Sequence, residues 1–144
     1  MKPLNNKEQI NYYAINNVNE TQLNDIVELY KEAEWWDNEW DKNFIHDMIS
    51  GSCCFMIAEE NDKFIGMARA VADNCSDAYI QDVIVLKKYR KQGIGGKLIK
   101  ALICGLKKKD IDWIGLIGEP GTQNFYEELG FQKMKNYIPM KYEL

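Results

Sequence analysis

Three glycines, at 93, 95 and 96, stand inside the stretch "RKQGIGGKL" that runs from Arg90 to Leu98. Glycine removes the side chain where a backbone must turn and approach a ligand closely. The helix expected to follow offers unpaired N–H groups in its first turn and the positive end of its dipole. Arg90, Lys91 and Lys97 add charge, so in chemical terms this is a site for phosphate. One residue excludes two familiar phosphate loops. A P-loop needs Ser or Thr after its Lys, and the dinucleotide fingerprint needs a final glycine, but Leu98 stands at both places.

A second constellation lies upstream in "AEWWDNEWD", Ala33 to Asp41, which holds three of the four tryptophans together with Glu34, Asp37, Glu39 and Asp41. Four carboxylates are not buried without partners, and a solvated loop has no need of three indoles. Indole faces attract cations and stack on aromatic rings, and the acids attract an ammonium. The competing reading gives one or two of the tryptophans to packing at a helix junction, or to a homodimer contact.

The elements that must position these groups follow from periodicity. "INYYAIN" reads as a first strand. Asn19 then caps a helix, with Gln22 in the capping-box position, Val18 stapling onto Leu23, and Leu23, Ile26, Val27, Tyr30 and Ala33 on one face. The tryptophan patch ends this helix, and a short second one is expected from about Asp41 to Ile49. "CCFMIAEE" and "KFIGMARAVAD" are strands around Asn61 and Asp62. "AYIQDVIVL" is another, ending in the continuous apolar run Val83 to Leu86 that suits a strand covered on both faces. A helix with Ile94, Leu98, Ala101, Leu102 and Leu106 on one face follows, then the strand "DWIGLIG", which makes a β-α-β unit with a parallel pair. "TQNFYEEL" is a short helix closed by Gly130, and "FQKM" and "IPMKYEL" are expected as final strands. The fold class is α/β (α+β): a mixed central sheet in the order β-α-α-β-β-β-α-β-α-β-β.

Bulk properties set the frame. A length of 144 residues favours a single domain, 1–144. No run approaches the ~18 apolar residues of a membrane span, so no membrane partner is expected. "MKPLNNKEQI" lacks the apolar core of a secretory signal, and a cytoplasmic location is expected. Cys53, Cys54, Cys75 and Cys104 form no CxxC pair, and with one histidine in the chain no metal site is expected. They read as reduced, mostly buried small side chains. His46 reads as a helix-surface residue. Net charge is −4, yet no acid falls between Val83 and Lys109, where nine of the eighteen basic residues lie. A polyanion contact is expected at the front of that segment, while Lys107 to Lys109 suit a helix C-terminus.

Taken together, "DVIVLKKYRKQGIGGKLIKAL" and, about thirty residues on, "NFYEELGF" resemble the GNAT superfamily of acyl-CoA-dependent N-acetyltransferases. The element order is similar from Ile10 onward. The D-V-x-V and F-Y-x-x-x-G-F spacing is closest to small bacterial members similar to plant serotonin (arylalkylamine) N-acetyltransferases.

The resemblance implies acetyl-CoA as co-substrate, with no metal. It implies that the backbone of Val83, Ile84 and Val85 lines the pantetheine and thioester. The N–H groups of Arg90, Lys91, Gln92, Gly93, Ile94 and Gly95, with Gly96 and Lys97 nearby, would hold the pyrophosphate. Asn124 and Tyr126 match the second motif, and Tyr126 would protonate the departing thiolate as general acid. Asp82 is the candidate base, direct or through water; the alternative is a structural acid paired with a basic side chain. The patch falls where the family builds one wall of its acceptor pocket, so Trp35, Trp36, Glu39 and Trp40 are candidate acceptor contacts. The expected reaction is direct acetyl transfer to a primary amine, an arylalkylamine or another small cationic amine. Alternatives are a peptide or aminoglycoside acceptor, or a non-catalytic module that senses acyl-CoA or binds nucleic acid; the acidic net charge speaks against nucleic acid.

Overall fold

The computed structural model describes residues 9–144. Five strands form one sheet in the order β1 (Asn11–Ala14), β2 (Cys54–Glu60), β3 (Lys63–Ala72), β4 (Asp77–Val85), β5 (Trp113–Leu116). The first four are antiparallel to their neighbours, and β4 and β5 are parallel. Four helices accompany the sheet: α1 (Glu20–Glu32), α2 (Phe44–Ser50), α3 (Ile94–Lys107) and α4 (Gln123–Glu128). This is the mixed sheet expected from the sequence, with α3 as the crossover of the parallel pair.

Phe64 to Ala68 of β3 are buried without a break, so both faces of the central strand are covered. α1 and α3 are the helices packed on it. Gly66 marks the tightest approach. A Cβ there would meet Leu98 Cδ1 at 3.0 Å and Ile84 O at 3.2 Å, so any side chain would push α3 off the sheet. The start of α1 follows the expected capping box. Gln22 N–H donates to Asn19 Oδ1 at 2.9 Å, and Asn19 N–H donates to Gln22 Oε1 at 3.0 Å.

Three expectations need correction. Residues 132–144 hold no strand, although "FQKM" and "IPMKYEL" carry strand patterns, because a strand persists only beside a partner and this segment pairs with none. α2 starts at Phe44 rather than near Asp41. Asp41 makes a turn instead, its Oδ1 accepting from Asn43 N–H at 2.9 Å. The cysteines are less buried than expected: Cys53 and Cys54 are half-buried, and Cys75 and Cys104 are exposed.

Candidate active site

The site begins with one extra residue in β4. Gln81 pairs with Arg69 of β3 and Ile84 pairs with Met67, so Asp82 and Val83 together face Ala68. This is a β-bulge, which re-aims a side chain and bends its strand. Asp82 takes φ 53°, a left-handed conformation that Asp tolerates better than most residues. Pairing of β4 with β5 ends at Ile80 and Leu116, just before the bulge. Beyond that point the β5 side of β4 is open backbone.

Asp82 is held from two sides. Arg69 Nε donates to its Oδ2 at 2.6 Å, and the Tyr30 hydroxyl donates to the same oxygen at 2.7 Å. The other Arg69 nitrogens reach Gln81 Oε1 at 2.9 Å and Ser52 Oγ at 3.4 Å. Burial first, then the charge of Asp82 and its hydrogen bond, push the Tyr30 hydroxyl far above the ordinary tyrosine range, only partly opposed by Arg69. Tyr30 therefore stays a neutral donor. With Oδ2 occupied twice, Oδ1 is left for a ligand. Sequence reasoning missed both partners. Arg69 had a signal, being a lone cation in the apolar strand "KFIGMARAVA", where burial demands a carboxylate. Tyr30 had none, since its spacing on α1 is that of a core residue.

Two cavities meet at Asp82. The larger, about 650 Å³, is lined by Tyr30, Trp35, Glu39, Trp40, Phe44 and Asp82 among others. The smaller, about 310 Å³, is lined by Trp35, Gln81, Asp82, Val83, Ile117 and Tyr126 among others. Trp35 and Asp82 belong to both. Of the four residues expected at the acceptor wall, Trp35, Glu39 and Trp40 are there. Trp36 is not: it is half-buried, stacked on Phe44 at 5.7 Å with Trp40 edge-on at 5.6 Å, and props the wall from behind. Asp37 is spent on a turn, its Oδ1 accepting from Glu39 N–H at 2.9 Å.

Tyr126 lies on α4, its ring edge-on to Phe125 at 4.9 Å and to Phe131 at 5.6 Å. Burial, and after it the charge of Glu119, raise its pKa above the ordinary value, so its hydroxyl keeps the proton through neutral pH. Asn124, expected beside it, is exposed and is not among the residues lining either cavity. Glu119 and Thr122 line the smaller one instead.

At the other end of β4 the glycine loop has the expected form. Gly93 is the N-cap of α3 at φ 80°, with no side-chain cap over the first turn. The first intrahelical bond, Lys97 N–H to Gly93 O, is 3.1 Å, which leaves the N–H groups before it for a ligand. Lys91 is also left-handed, at φ 61°. Arg90, Lys91, Gln92 and Lys97 are exposed, whereas the Ile94 and Ile84 side chains are buried and offer only backbone. Gly95 has a packing reason as well, since a Cβ there would meet Phe125 Cζ at 3.3 Å. Arg90 Nε donates to Val85 O at 2.9 Å, which ties the loop to the open strand. Among the described residues no group of three or more His, Cys, Asp and Glu side chains is placed to hold a metal.

The geometry is a two-chamber site, with a carboxylate at the junction, a protonated tyrosine beside one chamber, and a phosphate-sized cradle further along the same strand. Comparison with known proteins agrees. A sequence model of the acetyltransferase (GNAT) family matches residues 20–131. The chain is 33% identical over 111 residues to "Uncharacterized N-acetyltransferase ycf52" of Gracilaria tenuistipitata var. liui, covering 76% of this chain and 61% of that protein. It is 39% identical over 74 residues to "GCN5-related N-acetyltransferase 2, chloroplastic" of Arabidopsis thaliana, covering 51% of this chain and 29% of that one. It thus spans less than two thirds of the length of these curated relatives. Among solved structures, a GNAT family acetyltransferase from Streptococcus pneumoniae matches with a TM-score of 0.78 at 28% identity, covering 94% of this chain and 98% of that one. The aminoglycoside N-acetyltransferase AAC(6')-Iy in complex with CoA shares the fold, with a TM-score of 0.74 at 17% identity over 98% of this chain and 99% of that one. The chain belongs to the acetyltransferase (GNAT) family.

Proposed function

We propose that the protein is an acetyl-CoA-dependent N-acetyltransferase that transfers acetyl directly to the primary amine of a small cationic, arylalkylamine-type acceptor. The observation that carries this reading is the meeting of two cavities at Trp35 and Asp82, one chamber for each substrate. The uncapped first turn of α3 fits a pyrophosphate, and the β4 backbone beyond Ile80 fits an amide-bearing pantetheine arm laid down as an extra strand. Arg90, Lys91 and Lys97 supply the surrounding positive charge.

In this scheme the larger cavity holds the acceptor between Trp35 and Trp40, with Glu39 attracting its charge. Asp82 Oδ1 takes the proton that the attacking nitrogen must lose. The nitrogen then bonds to the thioester carbon, and a backbone N–H near Val83 stabilises the oxyanion that forms. As the C–S bond breaks, Tyr126 gives its proton to the thiolate. The products are the amide and free CoA thiol. A cytoplasmic location is part of the same proposal.

Acetyl-CoA or CoA at a hundredfold excess over Kd should stabilise the fold by about 2.7 kcal/mol, read as a rise in melting temperature. No rise with either would overturn the proposal. An amine panel assayed for CoA release (serotonin, tryptamine, polyamines, aminoglycosides, lysine peptides) then tests the acceptor class, which fails if arylalkylamines are not turned over. The two chambers should also separate in kinetics. Trp35→Ala and Trp40→Ala raise the acceptor KM roughly tenfold, the loss of a desolvated cation–π contact, with the acetyl-CoA KM nearly unchanged. Gly93→Ala does the reverse. It strains a left-handed position by about 1 kcal/mol, turns the N–H groups away and raises the acetyl-CoA KM several-fold.

A further inference from the structure

The C-terminal segment has the pattern of a strand and no neighbour. Apolar residues take every second position, Ile138, Met140, Tyr142 and Leu144, with Pro139, Lys141 and Glu143 between them. A period of two is the mark of a strand with one covered face. Yet those four side chains are 79%, 89%, 84% and 115% exposed. So concentrated a set of large apolar groups in water marks a surface that something covers. Among the described residues, the backbone of the segment makes one bond, the turn from Tyr137 N–H to Met134 O at 3.3 Å.

The complementary half lies on the same chain. β5 pairs only with β4 and is the edge of the sheet, so its outer N–H and C=O groups are a template for another strand. Ile114 and Leu116 on it are only half-buried, and the apolar layer stops unfinished there. The turn before the tail, with Asn136 left-handed at φ 64°, carries the segment clear of its own body, for every residue from 132 to 144 is exposed. A detached donor and an open acceptor edge on one chain are self-complementary, and two copies related by a two-fold axis satisfy both at once.

We propose that two copies of this chain pair by reciprocal exchange, residues 138–144 of each adding as a strand to β5 of the other. The sequence also stops growth at two. The added strand becomes the new edge, and Pro139 with Lys141 is the composition that blocks further pairing. The exchange reaches the site, because Leu116 and Ile117 at the end of β5 line the smaller cavity. The inference stands independently of the acetyl-transfer reading.

Light scattering after size exclusion should give the full chain twice its 16.8 kDa mass. Met140→Pro and truncation after Tyr137 should each give one chain mass, with the circular dichroism of a folded chain. Hydrogen exchange on the intact protein should show the Ile114–Ile117 amides slowed at least tenfold relative to Met140→Pro. A monomeric full chain, including one that closes its own edge with its own tail, overturns the proposal. So does a dimer that survives both changes. If the altered chains do not fold, exchange on the intact chain decides: fast-exchanging Ile114–Ile117 amides overturn the proposal, and slow ones in a dimer support it.

Discussion

Tyr126→Phe should lower kcat by about a hundredfold, at the lower end of what a positioned acid contributes, while the acetyl-CoA KM moves less than twofold. The substitution keeps the ring and its edge-on contacts with Phe125 and Phe131, so only the proton donor is lost. The pH profile gives a sharper readout. Burial and the charge of Glu119 raise the Tyr126 pKa above 10.0. An acid with a raised pKa is protonated below that value and loses its proton as pH rises through it. The parent enzyme should therefore hold its kcat through neutral and mildly alkaline pH and fall only on the far alkaline side, and the Phe variant should lack that fall. A loss of less than threefold, with the alkaline fall intact, would remove Tyr126 from the acid role.

Asp82→Ala should have the largest combined effect, because it strips the junction and orphans a cation. The Arg69 side chain is 13% exposed and that of Asp82 is 23% exposed. Breaking a mostly buried pair leaves an uncompensated charge, which costs about 2–3 kcal/mol here after allowance for partial solvation. That corresponds to a melting temperature lower by about 6 °C. Adding Arg69→Leu removes the stranded charge, so the double variant should recover most of the stability and none of the activity. A double-mutant cycle by denaturant melts measures this, and additivity within ~0.5 kcal/mol would show that the two side chains are not coupled. Asp82→Asn keeps the shape. If it leaves kcat and its pH dependence unchanged, Asp82 is not the base.

What could be read from the sequence was local. The capping box at Asn19 and Gln22, the glycine turn and the crossover around α3 each depend on residues a few positions apart, and each formed. The bulge at Asp82 and Val83 did not announce itself, since "DVIV" reads as unbroken strand and the extra residue exists only relative to the register of β3. Trp35, Trp36 and Trp40 read as one patch because composition does not show facing. The turns made by Asp37 and Asp41 then send two of them to the cavity and the third against Phe44. The C-terminal strands show the limit from the other side. Their alternation is sound, but alternation says which face is covered and not what lies beside the strand.

The bulge has a consequence for how such a site arises and is lost. Ile84 and Val85 keep the same partners on β3 that a regular ladder would give them, and so do Ala78 to Gln81. The carboxylate at the junction, and the opening of β4 away from β5, thus follow from one residue more than the sheet requires. A single-codon deletion there would leave a more regular sheet that has no place for chemistry. Selection on stability alone would favour that shorter strand, so only the reaction itself can keep the extra residue in place.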